Sequence, residues 1–185
     1  MVAPNIAILN ICDSHPSPIR NPKEYFEVLS NYTLFQCNGV TLGYLLPPVV
    51  AGLRSQKSSD WIITSTVAQF NPELDTFEKR SAAMKSTVDQ WRREKRFEVL
   101  AGMIIDDGVD LGWRDELYPV YGPGGETLFA MERCATPLFG VVTFGVHMTV
   151  YVPPTQTHPM RVWTPRRSRR KPTYPGMLDN TVDSE

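Results

Sequence analysis

The clearest pattern in the chain is a stripe of apolar residues at helical spacing near its middle. Its four members are separated by seven, four and three residues, and they are Phe77, Met84, Val88 and Trp91. Because this spacing brings side chains to one face of an α-helix, it predicts a helix over residues 76–98. Asp75, with Glu78 three residues later, predicts the cap at its beginning.

The opposite face of this predicted helix carries charges of both signs. They are Lys79, Arg80, Asp89, Arg92, Arg93 and Glu94. Mixed charges are typical of a helix face that contacts water, so we interpret the face as solvated rather than as a binding patch.

Two further helices are predicted nearer the N-terminus. In the first, Asn21 suits the cap and Pro22 the first helical position, with Glu24 placed to reach back to the cap. Its apolar face ends near residue 31 and consists of Tyr25, Phe26 and Leu29. The second, over residues 49–53, is started by the proline pair at residues 47–48.

Short β-rich or alternating runs between turn residues predict a series of strands. They cover residues 34–37, 40–45, 61–65, 113–121, 126–134, 141–152 and 160–164, with a last extended piece at 177–182. Asn38-Gly39 predicts a hairpin turn between the first two runs. The glycine-rich connector at 122–125 lacks the ending of a phosphate-binding loop, so we interpret it as a turn. Helices and strands together predict an α+β fold.

Composition narrows the class of protein. The 185 residues are 42% hydrophobic and 21% charged, with a formal net charge of -1. These values favour one domain, or one domain plus part of another, and argue against wholesale disorder and a dedicated nucleic-acid partner. No apolar run approaches the roughly 20 residues that span a bilayer, so we expect no membrane partner. Because the first basic residue is Arg20, no targeting peptide is predicted, and we expect a cytoplasmic protein.

Three cysteines, Cys12, Cys37 and Cys134, are too few and too scattered for a disulfide framework. No pair has the spacing of a zinc knuckle or of a redox-active pair. We therefore interpret them as buried or free thiols in a reducing compartment.

Other isolated residues have both a structural and a chemical interpretation. His147 lies on the predicted strand 141–152, where we favour a packed histidine over a base or a metal ligand. Asp106, Asp107 and Asp110 lack the spacing of a calcium loop, so we favour a polar turn there.

After Pro165 the composition becomes basic, with five positive charges in the six residues 166–171. Arginine suits the oxygens of a diphosphate because the guanidinium binds them in a planar, bidentate geometry. From the residues alone we favour a solvated basic loop, with a diphosphate contact in a complete protein and a nuclear-import or RNA-binding patch as the alternatives. Trp163 and Tyr174 suit either stacking on an aromatic ligand or packing, and we favour packing.

Two segments carry a family resemblance. They are residues 132–147, ERCATPLFGVVTFGVH, and residues 162–182, VWTPRRSRRKPTYPGMLDNTV. Together they resemble the domain junction of Nudix proteins related to thiamin pyrophosphokinase. Residues 38–40 and 43–45 also fit the N-terminal domain of those proteins. The resemblance implies an accessory domain with a mixed or antiparallel sheet at residues 1–135. It also implies the start of a Nudix domain, an incomplete α/β/α sandwich, at residues 136–185.

A complete Nudix enzyme hydrolyses a diphosphate bond with divalent cations, usually Mg²⁺, held by a glutamate-rich loop-helix-loop box. In the family, Ala-Gly-Gly and the box follow the segment that ends here at Val182. This chain instead continues with Asp183-Ser184-Glu185. The resemblance therefore implies that the box glutamates are missing. We predict no catalytic residue, no metal ligand and no bound Mg²⁺ for this chain, and no activity by the chain alone.

The resemblance implies a hydrolase of nucleoside-diphosphate-like or thiamin-diphosphate-like substrates, including damaged forms. Its partner would be a small-molecule diphosphate, contacted by Trp163, Arg166, Arg167 and Lys171. A non-catalytic ligand-binding or interaction module and a truncated gene product are the alternatives, and a homodimer is left open.

Overall fold

The computed structural model describes residues 14–56, 58–101, 112–169, 174–180 and 182–184. These residues belong to two compact units. Unit 1 comprises the described residues up to 101 together with residues 112–141, and unit 2 comprises those from 142 onwards. The chain combines helices with parallel and antiparallel strand pairs, which confirms the predicted α+β fold.

Unit 1 begins with a helix whose apolar face is not buried. Helix α1 spans Pro22–Leu29, as the pattern predicted. Asn21 lies at the predicted cap position and Pro22 at the start of the helix, but the side chain of Asn21 makes no capping hydrogen bond. No residue of α1 is buried, and Phe26 is 65% exposed. The predicted apolar face therefore does not contribute to the core.

The first predicted hairpin is confirmed. Strand β1 (Thr33–Cys37) pairs antiparallel with β2 (Val40–Leu45) through a two-residue turn. Both turn residues lie in the left-handed region, with Asn38 at φ 51° and Gly39 at φ 78°. Asparagine and glycine tolerate this backbone geometry better than other residues, which is why the pair predicted the turn.

The hairpin belongs to a four-stranded sheet in the order β2-β1-β4-β3. β3 is Trp61–Ile63, shorter than predicted, and β4 is Val67–Phe70. β4 pairs antiparallel with β3 and parallel with β1. The sequence did not predict β4, because four residues are too few for a clear alternation and a parallel partner is distant in the chain.

Two helices of unit 1 confirm predictions made from prolines and from the apolar stripe. α2 spans Pro47–Arg54 and α3 spans Phe77–Arg93. α3 ends earlier than the predicted residue 98, because Lys95 adopts a left-handed φ of 51° just beyond it. A separate short helix, α4 (Glu98–Ala101), follows.

The cap of α3 differs from the prediction. The hydroxyl of Thr76, not the carboxylate of Asp75, accepts a hydrogen bond from the backbone N–H of Lys79 at 3.2 Å. Asp75 instead pairs with Lys79 Nζ at 2.7 Å. Thr76, one residue later than predicted, thus supplies the short oxygen-bearing side chain that helix caps favour.

The glycine-rich connector joins a second antiparallel hairpin, β5 (Leu117–Tyr121) and β6 (Thr127–Glu132), as predicted. β6 packs against α3. A 3-10 turn and helix α5 (Thr136–Phe139) follow and end at Gly140, at φ 59°. A Cβ at Gly140 would lie 2.5 Å from Tyr44 O, so glycine allows α5 to end against β2.

Aromatic rings dominate the core of unit 1. Their centroids lie 4.6–6.0 Å apart, and the rings are Phe35, Trp61, Phe70, Trp91, Phe129 and Phe139. The stripe of α3 enters this core through Met84, Val88 and Trp91, whereas Phe77 at its start is 37% exposed. Three of the four residues of the predicted stripe are therefore buried.

Unit 2 contains only short strands among its described residues. The predicted continuous strand at 141–152 is wrong, because β7 covers Val146–Met148 and β8 covers Tyr151–Val152. β7 pairs with β10 (Val182–Ser184), and β8 pairs with β9 (Arg161–Val162). Each ladder is two strands wide, so a strand extends only as far as its single partner, which alternation in sequence does not reveal.

Candidate functional site

The basic segment of unit 2 folds back on the residues that follow it. Arg166 forms an isolated antiparallel bridge with Leu178, and its Nη1 donates to Gly176 O at 2.9 Å. The next backbone N–H, that of Arg167, donates to Met177 O at 2.9 Å. These contacts fix the backbone position of both arginines that the sequence predicted to contact substrate.

An ion pair between Arg167 and Asp179 strengthens this fold-back. Arg167 Nη1 lies 2.6 Å from Asp179 Oδ2, and the two side chains are 12% and 22% exposed. The hydrogen bond from Arg167, followed by that from the backbone N–H of Asn180, lowers the pKa of the Asp179 carboxyl below its ordinary value. Asp179 thus already occupies part of the guanidinium surface that a diphosphate would use.

Arg166 and Trp163 are the exposed members of the predicted contact set among the residues that the structure describes. Arg166 is exposed, and the indole of Trp163 is 64% exposed. Trp163 lines a small cavity of about 360 Å³ with Val150, Thr164 and Pro165. Packing, the interpretation favoured above, is wrong for Tyr174, whose ring is 71% exposed. For Trp163 it stays a prediction.

Some predicted residues lie outside the described ranges. They are Lys171 and the acidic residues Asp106, Asp107 and Asp110. The substrate contacts assigned to Trp163, Arg166, Arg167 and Lys171 therefore stay a prediction.

His147 lies on strand β7, but it is exposed, so the predicted packed histidine is wrong. Its Nδ1 lies 3.0 Å from Asn180 Nδ2, next to the Arg167–Asp179 pair in the chain. Among the described residues, β7 pairs with a single strand in a two-stranded ladder, so a strand position did not mean burial here.

The described ranges contain neither a candidate metal site nor a helix that could span a membrane. Within the part of the chain that the structure describes, no three His, Cys, Asp or Glu side chains lie close enough together to hold a metal ion. The described residues therefore do not fit the Mg²⁺ site of a complete Nudix enzyme. No described helix is long and apolar enough to cross a membrane.

Arg80 of unit 1 is the clearest polar residue that the sequence analysis misplaced. It was assigned to a solvated face, but it is 7% exposed. Its Nε donates to Leu128 O at 2.9 Å, and its Nη1 has no hydrogen-bond partner among the residues that the structure describes. The spacing could have indicated this burial. Arg80 precedes the buried Met84 by four residues and therefore lies on the same face of the helix as the apolar stripe.

Cys37 and Cys134 are free and buried, as predicted, and Cys12 lies outside the described residues. Burial raises the pKa of the Cys37 thiol, although nearby Arg80 acts in the opposite direction. Burial, with a smaller effect of Glu132, raises the pKa of Cys134 to about 12. Because the thiolate is the reactive form, neither site is suited to nucleophilic catalysis at neutral pH.

Known families and relatives give an independent comparison. Residues 18–143 match the family described as "Domain of unknown function (DUF4743)". An uncharacterized protein of Saccharomyces cerevisiae is 26% identical over 178 residues, which cover 96% of this chain and 49% of that protein.

Two relatives from Arabidopsis thaliana have names that state an enzyme class. Nudix hydrolase 20, chloroplastic, is 44% identical over 78 residues, which cover 42% of this chain and 20% of that protein. Nudix hydrolase 24, chloroplastic, is 31% identical over 123 residues, which cover 64% of this chain and 33% of that protein. The chain thus spans at most about half the length of these three relatives. The matches support a relationship to Nudix hydrolases.

Proposed function

The chain belongs to the DUF4743 family, and from that premise we propose that it is the N-terminal part of a Nudix-type hydrolase. The observation that carries the proposal is the 44% identity to a plant Nudix hydrolase over 78 residues. The proposed substrates are nucleoside-diphosphate-like or thiamin-diphosphate-like molecules, including damaged forms. Kinship with thiamin pyrophosphokinase-related enzymes and a cytoplasmic location belong to the same proposal.

In this proposal, residues 1–135 form the accessory domain and residues 136–185 start the Nudix domain. Arg166 would bind a phosphate oxygen, which its exposure and fixed backbone support. Arg167 would share its guanidinium between Asp179 and the diphosphate. The exposed ring of Trp163 would stack on the aromatic part of the substrate. Lys171 would add a second point charge.

The 185 residues contain no glutamate-rich box of the Nudix type. In a complete enzyme, Mg²⁺ held by such a box would polarise the diphosphate. We therefore expect the purified chain to release no phosphate from ADP-ribose or thiamin diphosphate with Mg²⁺ present. Turnover above a blank that needs Mg²⁺ and disappears in Arg167→Ala would contradict this expectation.

Substrate contact is tested separately from turnover by calorimetric binding of ADP-ribose to the chain. Loss of a charged hydrogen bond to phosphate costs about 1.5–3 kcal/mol, so Arg166→Ala should weaken binding about tenfold or more. Arg161→Ala is the matched control, because Arg161 is an exposed arginine of the same unit. Equal losses in both variants would mean that only general charge is sensed, and the assigned contact would be wrong.

A second candidate function is a ligand-binding or interaction module without catalysis. The observation that favours it is that the family match at residues 18–143 covers the aromatic core of unit 1 rather than the basic segment. Ligand-induced thermal stabilisation measures it, since a ligand that binds only the folded form raises the unfolding temperature.

A further inference from the structure

Unit 1 contains a cavity that the hydrolase proposal does not use. Its volume is about 530 Å³, within the range of about 300–1,000 Å³ that small-molecule sites occupy. It lies between the start of β1, helix α2 and the turn that joins β3 to β4. The residues that line it include Thr33, Pro47, Val50, Arg54, Ser55 and Ser65.

Arg54 supplies the positive charge of this cavity. Its Nη2 donates to Thr64 O at 3.0 Å, which ties the guanidinium to the turn between β3 and β4. A guanidinium has five N–H donors, so this bond leaves others for a ligand. No carboxylate within the described residues forms an ion pair with Arg54, and none is among the described residues that line the cavity. Within the described part of the chain, the positive charge at this wall therefore has no carboxylate partner.

Hydroxyl groups form the rest of the polar wall. Thr33 and Ser65 come from two different elements, and their hydroxyls make no hydrogen bond within the described part of the chain. The hydroxyl of Ser55 donates to Gly52 O at 2.8 Å and so retains only acceptor capacity. Two hydroxyl donors and one guanidinium thus approach the cavity from three elements.

Three converging donors suit a phosphate better than a carboxylate. The terminal oxygens of a phosphate monoester point in three directions, whereas a carboxylate presents two oxygens in one plane. Arginine and hydroxyl side chains are common donors to phosphate oxygens. Pro47 and Val50 form an apolar wall that would contact the organic part of such a ligand.

We propose that this cavity of unit 1 binds a small phosphate ester, with Arg54 on the phosphate and the Pro47–Val50 wall against the organic group. The site goes beyond the proposed hydrolase function and does not depend on it, since Arg54 and the basic segment belong to different units. It would give the accessory domain a ligand of its own.

Isothermal titration of the 185-residue chain with phenyl phosphate, inorganic phosphate and benzoate tests this proposal. Phenyl phosphate should bind most tightly, because it uses both walls of the cavity. Arg54→Gln should weaken it about tenfold or more, as expected for loss of a charged donor. Arg93→Gln, an exposed arginine of α3 that does not line the cavity, should leave the affinity unchanged.

Thr33→Val and Ser65→Ala keep the test decisive if Arg54→Gln fails to fold by circular dichroism. Each substitution should weaken the binding of phenyl phosphate several-fold. The binding of benzoate should weaken by less. Three results overturn the proposal: no binding of phenyl phosphate at millimolar concentration, tighter binding of benzoate, or unchanged affinity in folded Arg54 and Ser65 variants. Binding of ADP-ribose that is lost in Arg166→Ala but kept in Arg54→Gln would support the hydrolase proposal independently of this one.

Discussion

Unit 1 and unit 2 place similar side chains in opposite environments. The core rings of unit 1 are at most 9% exposed, whereas Phe144 and Trp163 of unit 2 are 68% and 64% exposed. In unit 1 the β6 strand packs against α3 and four strands share one sheet. The ladders of unit 2 have two strands each. Apolar content therefore does not by itself make a core, because a sheet buries a face only when a second layer covers it.

This difference predicts where the stability of the chain resides. Burial of a large apolar side chain stabilises a fold by about 1.5–3 kcal/mol, and isolated two-stranded ladders are marginal in water. Substitutions of equal size should thus have large effects in unit 1 and small effects in unit 2.

The largest contrast is expected between two tryptophans. Trp91 is fully buried and stacks on Phe139 at 5.6 Å, so Trp91→Ala should lower the free energy of unfolding by about 3–5 kcal/mol. Trp163→Ala should change it by less than about 0.5 kcal/mol. Urea denaturation followed by circular dichroism measures both values. Equal destabilisation by the two substitutions would refute the contrast.

Glycines provide the next comparison. In Gly140→Ala the new Cβ would lie 2.5 Å from Tyr44 O, at a left-handed φ of 59°, so the variant should lose about 1–3 kcal/mol. A Cβ added at Gly145 of unit 2 would meet nothing within 4 Å, so Gly145→Ala serves as the control. The unfolding temperatures of both variants measure this difference. A Gly140→Ala variant as stable as the original chain would show that α5 does not end against β2 as described.

A buried hydrogen bond within unit 1 should give an effect of similar size. Trp61 Nε1 donates to Thr87 Oγ1 at 2.9 Å, and Thr87 is 1% exposed. Thr87→Val would leave the indole N–H without its acceptor and should cost about 1–3 kcal/mol. Thr87→Ser keeps the hydroxyl, which also donates to Gln56 Oε1 at 3.2 Å, and it should cost less. The difference between the two variants in urea denaturation therefore measures the two hydrogen bonds of this hydroxyl together. Equal losses would mean that the methyl group, not the hydroxyl, matters.

The smallest effect concerns the Arg167–Asp179 pair of unit 2. Because Arg167 lowers the pKa of Asp179, the pair stabilises the fold above the ordinary aspartate range, and this contribution is lost as pH falls through the lowered pKa. Arg167→Gln should raise the pKa of Asp179 toward its ordinary value. An NMR titration of the Asp179 carboxyl measures the change, with Arg161→Gln as control. An unchanged pKa in Arg167→Gln would show that the pair does not form in solution.

The sequence predicted those features of unit 1 that arise from local geometry. Asn38-Gly39 predicted the β1–β2 hairpin because few other residues adopt that turn. The spacing of Met84, Val88 and Trp91 predicted the buried face of α3. β4 and the burial of Arg80 were missed, because both depend on contacts with strands distant in the chain.

The candidate sites divide in the same way. Arg166 and Arg167 were found from composition and family resemblance, which need no contact information. Their fold-back onto residues 176–179, and the pairing of Arg167 with Asp179, depend on a β-bridge that no local pattern announces. The cavity at Arg54 was not predicted from the sequence for the same reason. Its wall consists of residues from three elements that are distant in the chain.

Hydrogen exchange followed by mass spectrometry tests most directly the central claim that unit 1 holds the stable core. The backbone amides of β1, β4 and α3 should exchange slowly, because their opening requires disruption of the aromatic core. The amides of β7, β8 and β9 should exchange faster by orders of magnitude. Protection in these three strands equal to that of β1 and β4 would contradict the account, and it would show that unit 2 is as stable as unit 1.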